Sequence, residues 1–395
     1  MNCLKKPIVF LLIFILFFSL YFFLKINLYS PESFDYAASI EKGDISSYRF
    51  WRMEHPLWEI TGRGAYLLGA LLGFKGNTLE LMQLLNAVCG SLAVAFFFLI
   101  IFRLTKSLKT SLFCAFLLGF SYYFWFWNAE VKFYSLAALF VMLTIYFFTA
   151  ESFLAPAGTL LTGFFFALAM LYHSANMVLF LPLTIAFFLN ASPLKKKFSS
   201  YMLFLAAILV FFVIPHLIIL IKLSGVHVAD FWRNKEAFSW FGASLRLEGI
   251  DARDIIFRRL PLFINLIAGS LFMGMGPPTP HVQINFQLIS FIIFLLLTII
   301  LFIKFKSKIV QEHKSLSLFC LFWASLQITA LWIVDPYNYY IYIALVPLVM
   351  LLSLGLKQLF ISTGKTLFTI PMCLAILALF FLNLFFGILP YRVHP

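Results

Sequence analysis

Apolar runs of about 17 to 25 residues recur along the whole chain, separated by short polar connections. In lipid, only helices and closed β-barrels satisfy all of their own backbone hydrogen bonds. Barrel strands are alternating segments of about ten residues, whereas these runs match helices that cross a hydrocarbon core. The sequence therefore predicts an all-α polytopic membrane protein.

Composition supports the same fold class and removes several functions. Charged residues make up 11% of the 395, against about 25% in soluble domains. The net charge is +13, but the basic residues do not form a stripe interleaved with aromatic residues, as they do in many nucleic-acid-binding proteins. We therefore expect no nucleic-acid partner. The five cysteines form no CxxC pair and are interpreted as small hydrophobes. The usual motifs for phosphate loops, dinucleotides and HExxH metal sites are absent.

Hydropathy predicts a bundle of about eleven (11 to 13) transmembrane helices, with 1–395 forming a single transmembrane domain. Two shorter apolar segments, 57–73 and 260–275, are placed at the membrane interface because they are interrupted or too short to cross upright. The predicted spans are 7–29, 79–103, 108–127, 131–150, 156–172, 174–190, 199–223, 284–304, 316–334, 338–358 and 366–389.

The distribution of Lys and Arg predicts the orientation. With the N-terminus in the cytoplasm, the inner connections carry 14 basic and 2 acidic residues, and 14 of the 16 acids lie outside. The two long loops, 30–78 and 224–283, then also lie outside and are predicted to contain interfacial helices. Function is expected on that outer face. We expect a bacterial inner membrane, with the site facing the periplasm or the extracellular side.

Asp35 follows the first predicted span by a few residues. A partly desolvated carboxylate at a membrane surface can act as a general base toward a hydroxyl. It can also hold a divalent cation such as Mg²⁺ or Mn²⁺. The alternative is a solvated loop acid. Asp44 and Glu54 are the next candidates if Asp35 is not the base.

Other polar residues at predicted outer ends are candidates for substrate binding. Glu130 and Lys132 open an apolar helix, where ionisable groups pair or serve a site; the alternative is a capping acid with a snorkelling lysine. His173 joins two spans almost without a loop, and an interhelical hydrogen bond would explain it equally well. The remaining candidates are Glu54, His55, Arg258, Arg259, Asp335 and Tyr337.

Taken in order, five segments resemble the GT-C superfamily, and within it the protein O-mannosyltransferase-like branch. They are Asp35 after the first helix, His55-Pro56-Leu57 at the start of the next, then 76–87, 126–136 and 172–176. The resemblance covers roughly the first 190 residues. Two departures are the absence of a second acid behind Asp35 and the presence of Lys132.

The resemblance implies a membrane glycosyltransferase, with hexosyl or pentosyl transfer from a polyprenyl-phosphate sugar to a hydroxyl of a protein, lipid or glycan. Asp35 would be the base, the anomeric carbon would be inverted, and cations would face the leaving phosphate. A transporter or flippase of lipid-linked glycans remains an alternative, as does a polymerase or ligase. Transport favours charges near span centres, whereas the ionisable groups here lie at the outer ends.

Overall fold

The computed structural model describes residues 5–27, 29–45, 50–52, 55–190, 192–219, 271, 286–333, 341–363 and 369–392. These residues form helices and their connections, without a strand. We number the α-helices in chain order. They are α1 (Lys5–Phe23), α2 (Pro31–Lys42), α3 (Trp58–Leu71), α4 (Thr78–Thr105), α5 (Leu108–Phe120), α6 (Tyr122–Ala129), α7 (Tyr134–Phe148), α8 (Pro156–Tyr172), α9 (Phe180–Leu189), α10 (Leu194–Ile208), α11 (Ile214–Ile218), α12 (Phe286–Ile333), α13 (Ile341–Thr363) and α14 (Thr369–Leu382).

The described helices confirm the all-α polytopic membrane fold. Six of them are long and apolar enough to cross a membrane, or seven if α5 and α6, bent by 60°, form one span. Three shorter apolar helices, between 10 and 17 residues, follow in the stretch from Tyr134 to Leu189. The described parts of the eleven predicted spans are largely helical, although α1 ends at Phe23 and span 108–127 is divided between α5 and α6.

Two predicted spans merge in α12, which runs for 48 residues. α12 consists of two helical segments that meet at a kink at His313 (φ −140°, ψ 38°). The kink lies between predicted spans 284–304 and 316–334. The interfacial segment 57–73 is α3, whose 14 residues span about 21 Å, less than a hydrocarbon core of about 30 Å. Segment 260–275 lies outside the described residues except for Leu271.

α4 is the central helix and packs against α1, α5 and α7. Its middle is buried on several sides, with Phe97, Phe98 and Ile101 shielded completely. Lipid cannot drive helices together by hydrophobicity, so close approach at small residues matters more. At Gly163 of α8, an added Cβ would lie 2.7 Å from the Cβ of Ala207 and 3.0 Å from the carbonyl oxygen of Phe204.

Contacts between connections group the helix ends as the predicted alternating topology requires. At the predicted inner ends, Lys357 Nζ donates to Glu312 Oε2 at 2.6 Å, and Ser315 Oγ donates to the carbonyl of Leu189 at 2.9 Å. At the predicted outer ends, Asn27 Nδ2 donates to the carbonyl of Arg392 at 2.9 Å. Residues assigned to one side of the membrane thus meet one another.

Substituting Gly163→Ala tests the close contact between α8 and α10. The added methyl must displace backbone, so we expect a loss of about 1–3 kcal/mol and a lower apparent melting temperature. Unfolding in detergent can be followed with a thiol-reactive dye that reports exposure of the buried Cys89, Cys114 and Cys320.

Gly64→Ala is the matched control, because a Cβ at Gly64 meets nothing within 4 Å and Ala favours a helix. Equal melting temperatures for Gly163→Ala and wild type would contradict the packing argument.

Candidate active site

α2 carries Asp35, and the local sequence specifies both of its ends. Ser30 is the N-cap and accepts a hydrogen bond from the backbone N–H of Ser33, and Pro31 occupies the first turn. Gly43 ends the helix in the left-handed conformation (φ 61°), which glycine adopts without strain. The guanidinium of Arg63 donates to two carbonyls of the last turn at 3.0 and 2.9 Å. The predicted first outer loop therefore begins with a well-capped helix.

The turn between α6 and α7 holds the N-terminus of α2 through Glu130. Glu130 Oε1 accepts from the backbone N–H of Ser30 at 3.3 Å and from the hydroxyl of Ser33 at 3.2 Å. A carboxylate at a helix N-terminus is also favoured by the helix dipole. Burial raises the pKa of Glu130, and nearby Lys132 and the bonds from Ser30 and Ser33 partly offset that shift. Glu130 thus docks α2 onto the turn.

Two buried amides of α4 hold the same turn, and the sequence analysis did not single them out. Gln83 Nε2 donates to the carbonyls of Ile26 and Ala129 at 2.6 and 3.0 Å. Asn86 Nδ2 donates to the carbonyls of Glu130 and Lys132 at 2.6 and 2.7 Å. Non-helical backbone at this depth needs such partners. The sequence signal that could have identified them is a pair of amide side chains three residues apart in an otherwise apolar predicted helix.

Lys132 is buried, with 4% of its surface exposed. Its ammonium forms an ion pair with Glu32 of α2, whose side chain is 62% exposed. The same ammonium lies 5.6 Å from the ring centroid of Tyr36. A buried cation whose partner is an exposed acid keeps its charge available to a ligand that displaces that acid.

His55 and His173 both lie against the ring of Phe133. The His55 ring stacks on Phe133 at 4.1 Å between centroids, and His173 lies 5.1 Å from the same ring. His55 Nε2 is 3.1 Å from the hydroxyl of Tyr36. Burial, with a smaller contribution from His55, lowers the pKa of His173 to about 3, so its imidazole is neutral at pH 7. Residues far apart in sequence meet in one cluster.

Glu59 of α3 is a second acid that the sequence analysis did not single out. Its side chain is completely buried. Glu59 Oε1 forms an ion pair with Arg52 Nε at 3.2 Å, and Glu59 Oε2 lies 3.7 Å from His55 Nδ1. A buried carboxylate requires such a compensating charge. The sequence signal was the spacing of four residues between His55 and Glu59. In a helical segment, this spacing would place both side chains on one face.

Asp35 lies on the exposed side of α2, with no hydrogen bond or ion pair to the described residues. It is one helical turn after Glu32, the partner of Lys132, and directly precedes Tyr36. Within the described part of the chain, no three His, Cys, Asp or Glu side chains converge on a point that could hold a metal ion. A divalent cation at Asp35 stays a prediction.

The described structure brings His55, Glu130, Lys132 and His173 together around the α6–α7 turn, beside the helix that carries Asp35. The other predicted site residues lie outside the described residues, and their positions relative to this cluster stay predictions. They are Glu54, Arg258, Arg259, Asp335 and Tyr337. Asp44 lies just after α2.

The pH dependence of stability tests the buried, neutral state of His173. The unfolded chain takes up a proton near pH 6.5, but the folded chain does so only near pH 3. Stability is therefore complete above about pH 6.5 and is lost as the pH falls toward 3. We expect His173→Gln to show a smaller fall in melting temperature than wild type between about pH 7.5 and about pH 5.

Intrinsic tryptophan fluorescence can report this unfolding, because Trp58, Trp125 and Trp323 are buried. An identical acid-induced fall in wild type and variant would show that His173 is not the group that resists protonation.

Comparison with known proteins adds a family match to this geometry. Residues 63–219 match the family described as dolichyl-phosphate-mannose-protein mannosyltransferase. The matched segment includes Glu130, Lys132 and His173 and begins after Asp35 and His55. A search of curated proteins found no match.

Two solved structures are similar. The Saccharomyces cerevisiae protein O-mannosyltransferase Pmt1-Pmt2 complex bound to the sugar donor shares 16% identity over 55% of this chain, with a TM-score of 0.42; the chain spans 33% of that protein's length. ArnT from Cupriavidus metallidurans bound to undecaprenyl phosphate shares 12% identity over 99% of this chain and 74% of its own, with a TM-score of 0.54. Residues 63–219 thus resemble this mannosyltransferase family in sequence, and the all-helical membrane fold of the chain is similar to that of ArnT.

Proposed function

We propose that this protein transfers a sugar from a polyprenyl-phosphate donor to an acceptor hydroxyl on the outer face of the membrane, with Asp35 as general base. The transferred sugar is expected to be a hexosyl or pentosyl group, and the acceptor is a protein, a lipid or a glycan. The single observation that carries the proposal is the position of Asp35, which is exposed one helical turn after Glu32, the partner of the buried Lys132.

The family match and the fold support the reaction class. The matched family is named for transfer of mannose from a lipid-phosphate donor, and it covers the segment that holds Lys132. The similar ArnT structure contains undecaprenyl phosphate, a polyprenyl phosphate. A donor of the same chemical class suits a site at the end of a helical bundle, where the lipid can stay in the bilayer while its phosphate reaches the surface.

The charges near Asp35 suit a direct displacement. The acceptor oxygen attacks the anomeric carbon, and its proton passes to the Asp35 carboxylate. The bond between that carbon and the phosphate oxygen breaks, and polyprenyl phosphate leaves with the electron pair. Such a step needs a positioned base and cations near the leaving group. Lys132 is available as one cation, and Arg52, half-buried beside Tyr36, as another.

The location of buried ionisable residues supports surface chemistry over passage of a substrate across the bilayer. Among the described residues, Glu130, Lys132 and His173 lie in connections between helices. Glu59 lies in the first turn of the short α3, and His55 lies in the turn just before it. A transporter would be expected to place such groups near span centres. We therefore place the cluster on the outer face, with the N-terminus on the cytoplasmic side of an inner membrane.

Asp35→Asn tests the role of the base. We expect transfer of labelled sugar from a polyprenyl-phosphate donor in reconstituted membranes to fall at least about 100-fold, within the range assigned to general-base catalysis. The melting temperature should stay unchanged, because Asp35 is exposed. Glu151→Gln, which neutralises an exposed acid at a predicted inner end, is the control and should retain full activity.

Wild-type activity in Asp35→Asn would rule out Asp35 as the base and direct attention to Glu54. An anomeric configuration retained in the product would contradict direct displacement. Analysis of the product by NMR distinguishes the two configurations.

Lys132→Gln tests the cation. A charge-assisted hydrogen bond to phosphate contributes about 1.5–3 kcal/mol, so its loss should raise the KM for the donor about tenfold or more. Lys132→Arg keeps the positive charge and should recover much of the affinity. Equal KM values for wild type and Lys132→Gln would show that Lys132 only holds Glu32.

A further inference from the structure

We infer that Tyr36, His55 and Glu59 form a hydrogen-bonded and electrostatic relay that orients α2 and thereby positions Asp35. The inference rests on the proposed function and assigns Tyr36 and Glu59 a positioning role that their sequence context did not indicate. Neither residue is placed in contact with substrate. Their effect on transfer would act through the direction in which α2 presents the carboxylate.

The rotation of α2 about its own axis is set by one buried face. Ser33, Tyr36, Ala37 and Ile40 occupy that face, and Asp35 lies outside it. Successive helical residues are separated by about 100° around the axis, so the direction of Asp35 follows from that of Tyr36. Whatever holds the Tyr36 side chain inward therefore also orients the Asp35 carboxylate.

This buried face is held at three levels. Near the N-terminus, the Ser33 hydroxyl donates to Glu130 and to the carbonyl of Val131, each at 3.2 Å. Near the C-terminus, Ile40 packs so closely against Gly62 of α3 that a Cβ there would lie 2.3 Å from Ile40 Cδ1. The middle level is Tyr36, which is adjacent to Asp35 in the chain.

The Tyr36 hydroxyl is 3.1 Å from His55 Nε2. The other ring nitrogen of His55, Nδ1, faces Glu59 Oε2 at 3.7 Å. A carboxylate on that side favours the tautomer with the proton on Nδ1. Nε2 is then an acceptor, and Tyr36 O–H is the donor. Glu59 thus favours the form of His55 that accepts a hydrogen bond from Tyr36.

Arg52 completes the arrangement and explains why Glu59 can be buried. Its guanidinium carbon lies 4.5 Å from the centroid of the Tyr36 ring, and its Nε lies 3.2 Å from Glu59 Oε1. One cation therefore covers the tyrosine ring and compensates the carboxylate. The aromatic neighbours Trp58 and Phe133 enclose the group from other sides, at 6.1 and 6.4 Å from the Tyr36 ring.

Tyr36→Phe and Glu59→Gln test the relay with little change in side-chain volume. We expect each to lower kcat for sugar transfer about tenfold, because small errors in the placement of a base are costly, with the donor KM within about twofold of wild type. The double variant should be no slower than the slower single variant, because both substitutions break the same chain of contacts.

Tyr172→Phe is the matched control. It removes another tyrosine hydroxyl that reaches α3, through a 2.5 Å contact with Thr61, but lies outside the relay. Its kcat should equal that of wild type. A loss of activity in Tyr172→Phe as large as in Tyr36→Phe, or multiplied losses in the double variant, would overturn the positioning role.

A second readout does not depend on activity. A spin label at Ala38→Cys lies on the exposed side of α2, one turn after Asp35, in a background with Cys3→Ser and Cys373→Ser. We expect Tyr36→Phe and Glu59→Gln to make the label more mobile and Tyr172→Phe to leave it unchanged. If label mobility is the same in all variants, the relay does not orient α2. If wild type transfers no sugar, the proposed function fails, and label mobility still decides the orientation of α2.

Discussion

The hydrogen bonds from Gln83 and Asn86 to the α6–α7 turn are the interaction on which the candidate site depends. Four helix ends approach this turn, and its backbone leaves the helical conformation within a mostly apolar bundle. Two amides, three residues apart on α4, supply donors to four carbonyls on the turn and on the segment after α1. Because unpaired carbonyls would be costly at that depth, the amides fix the backbone that presents Glu130 and Lys132.

Charge compensation then assembles the site on this frame. Glu130 binds the N-terminus of α2, Lys132 pairs with Glu32, and Arg52 pairs with Glu59. Each pair joins segments that the sequence separates, so electrostatics works here as a means of docking rather than as a source of net stability. The result is a short helix held on one face, with Asp35 on the other and a buried cation nearby.

Sequence reasoning identified His55, Glu130, Lys132 and His173 because ionisable residues are conspicuous beside apolar runs, and the described structure gathers these four around the α6–α7 turn. It did not single out Gln83, Asn86 or Glu59. The amides lie inside a predicted span, where apolar neighbours dominate the average hydropathy. Glu59 lies in segment 57–73, which was predicted to lie at the membrane interface. Tyr36 was not singled out either, because the pairing of its hydroxyl with His55 depends on how α2 meets the segment before α3.

The sequence by itself determined the class of fold, the order of its apolar segments, and the placement of most ionisable groups at their ends. These properties follow from hydrophobic length and from the cost of burying charge in lipid, and both can be evaluated residue by residue. Only the tertiary structure decided which ends meet, which acid each cation pairs with, and which way α2 turns Asp35. Those outcomes depend on contacts between residues far apart in the chain, such as Lys132 and Glu32, which are 100 positions apart, and local sequence carries no information about such contacts.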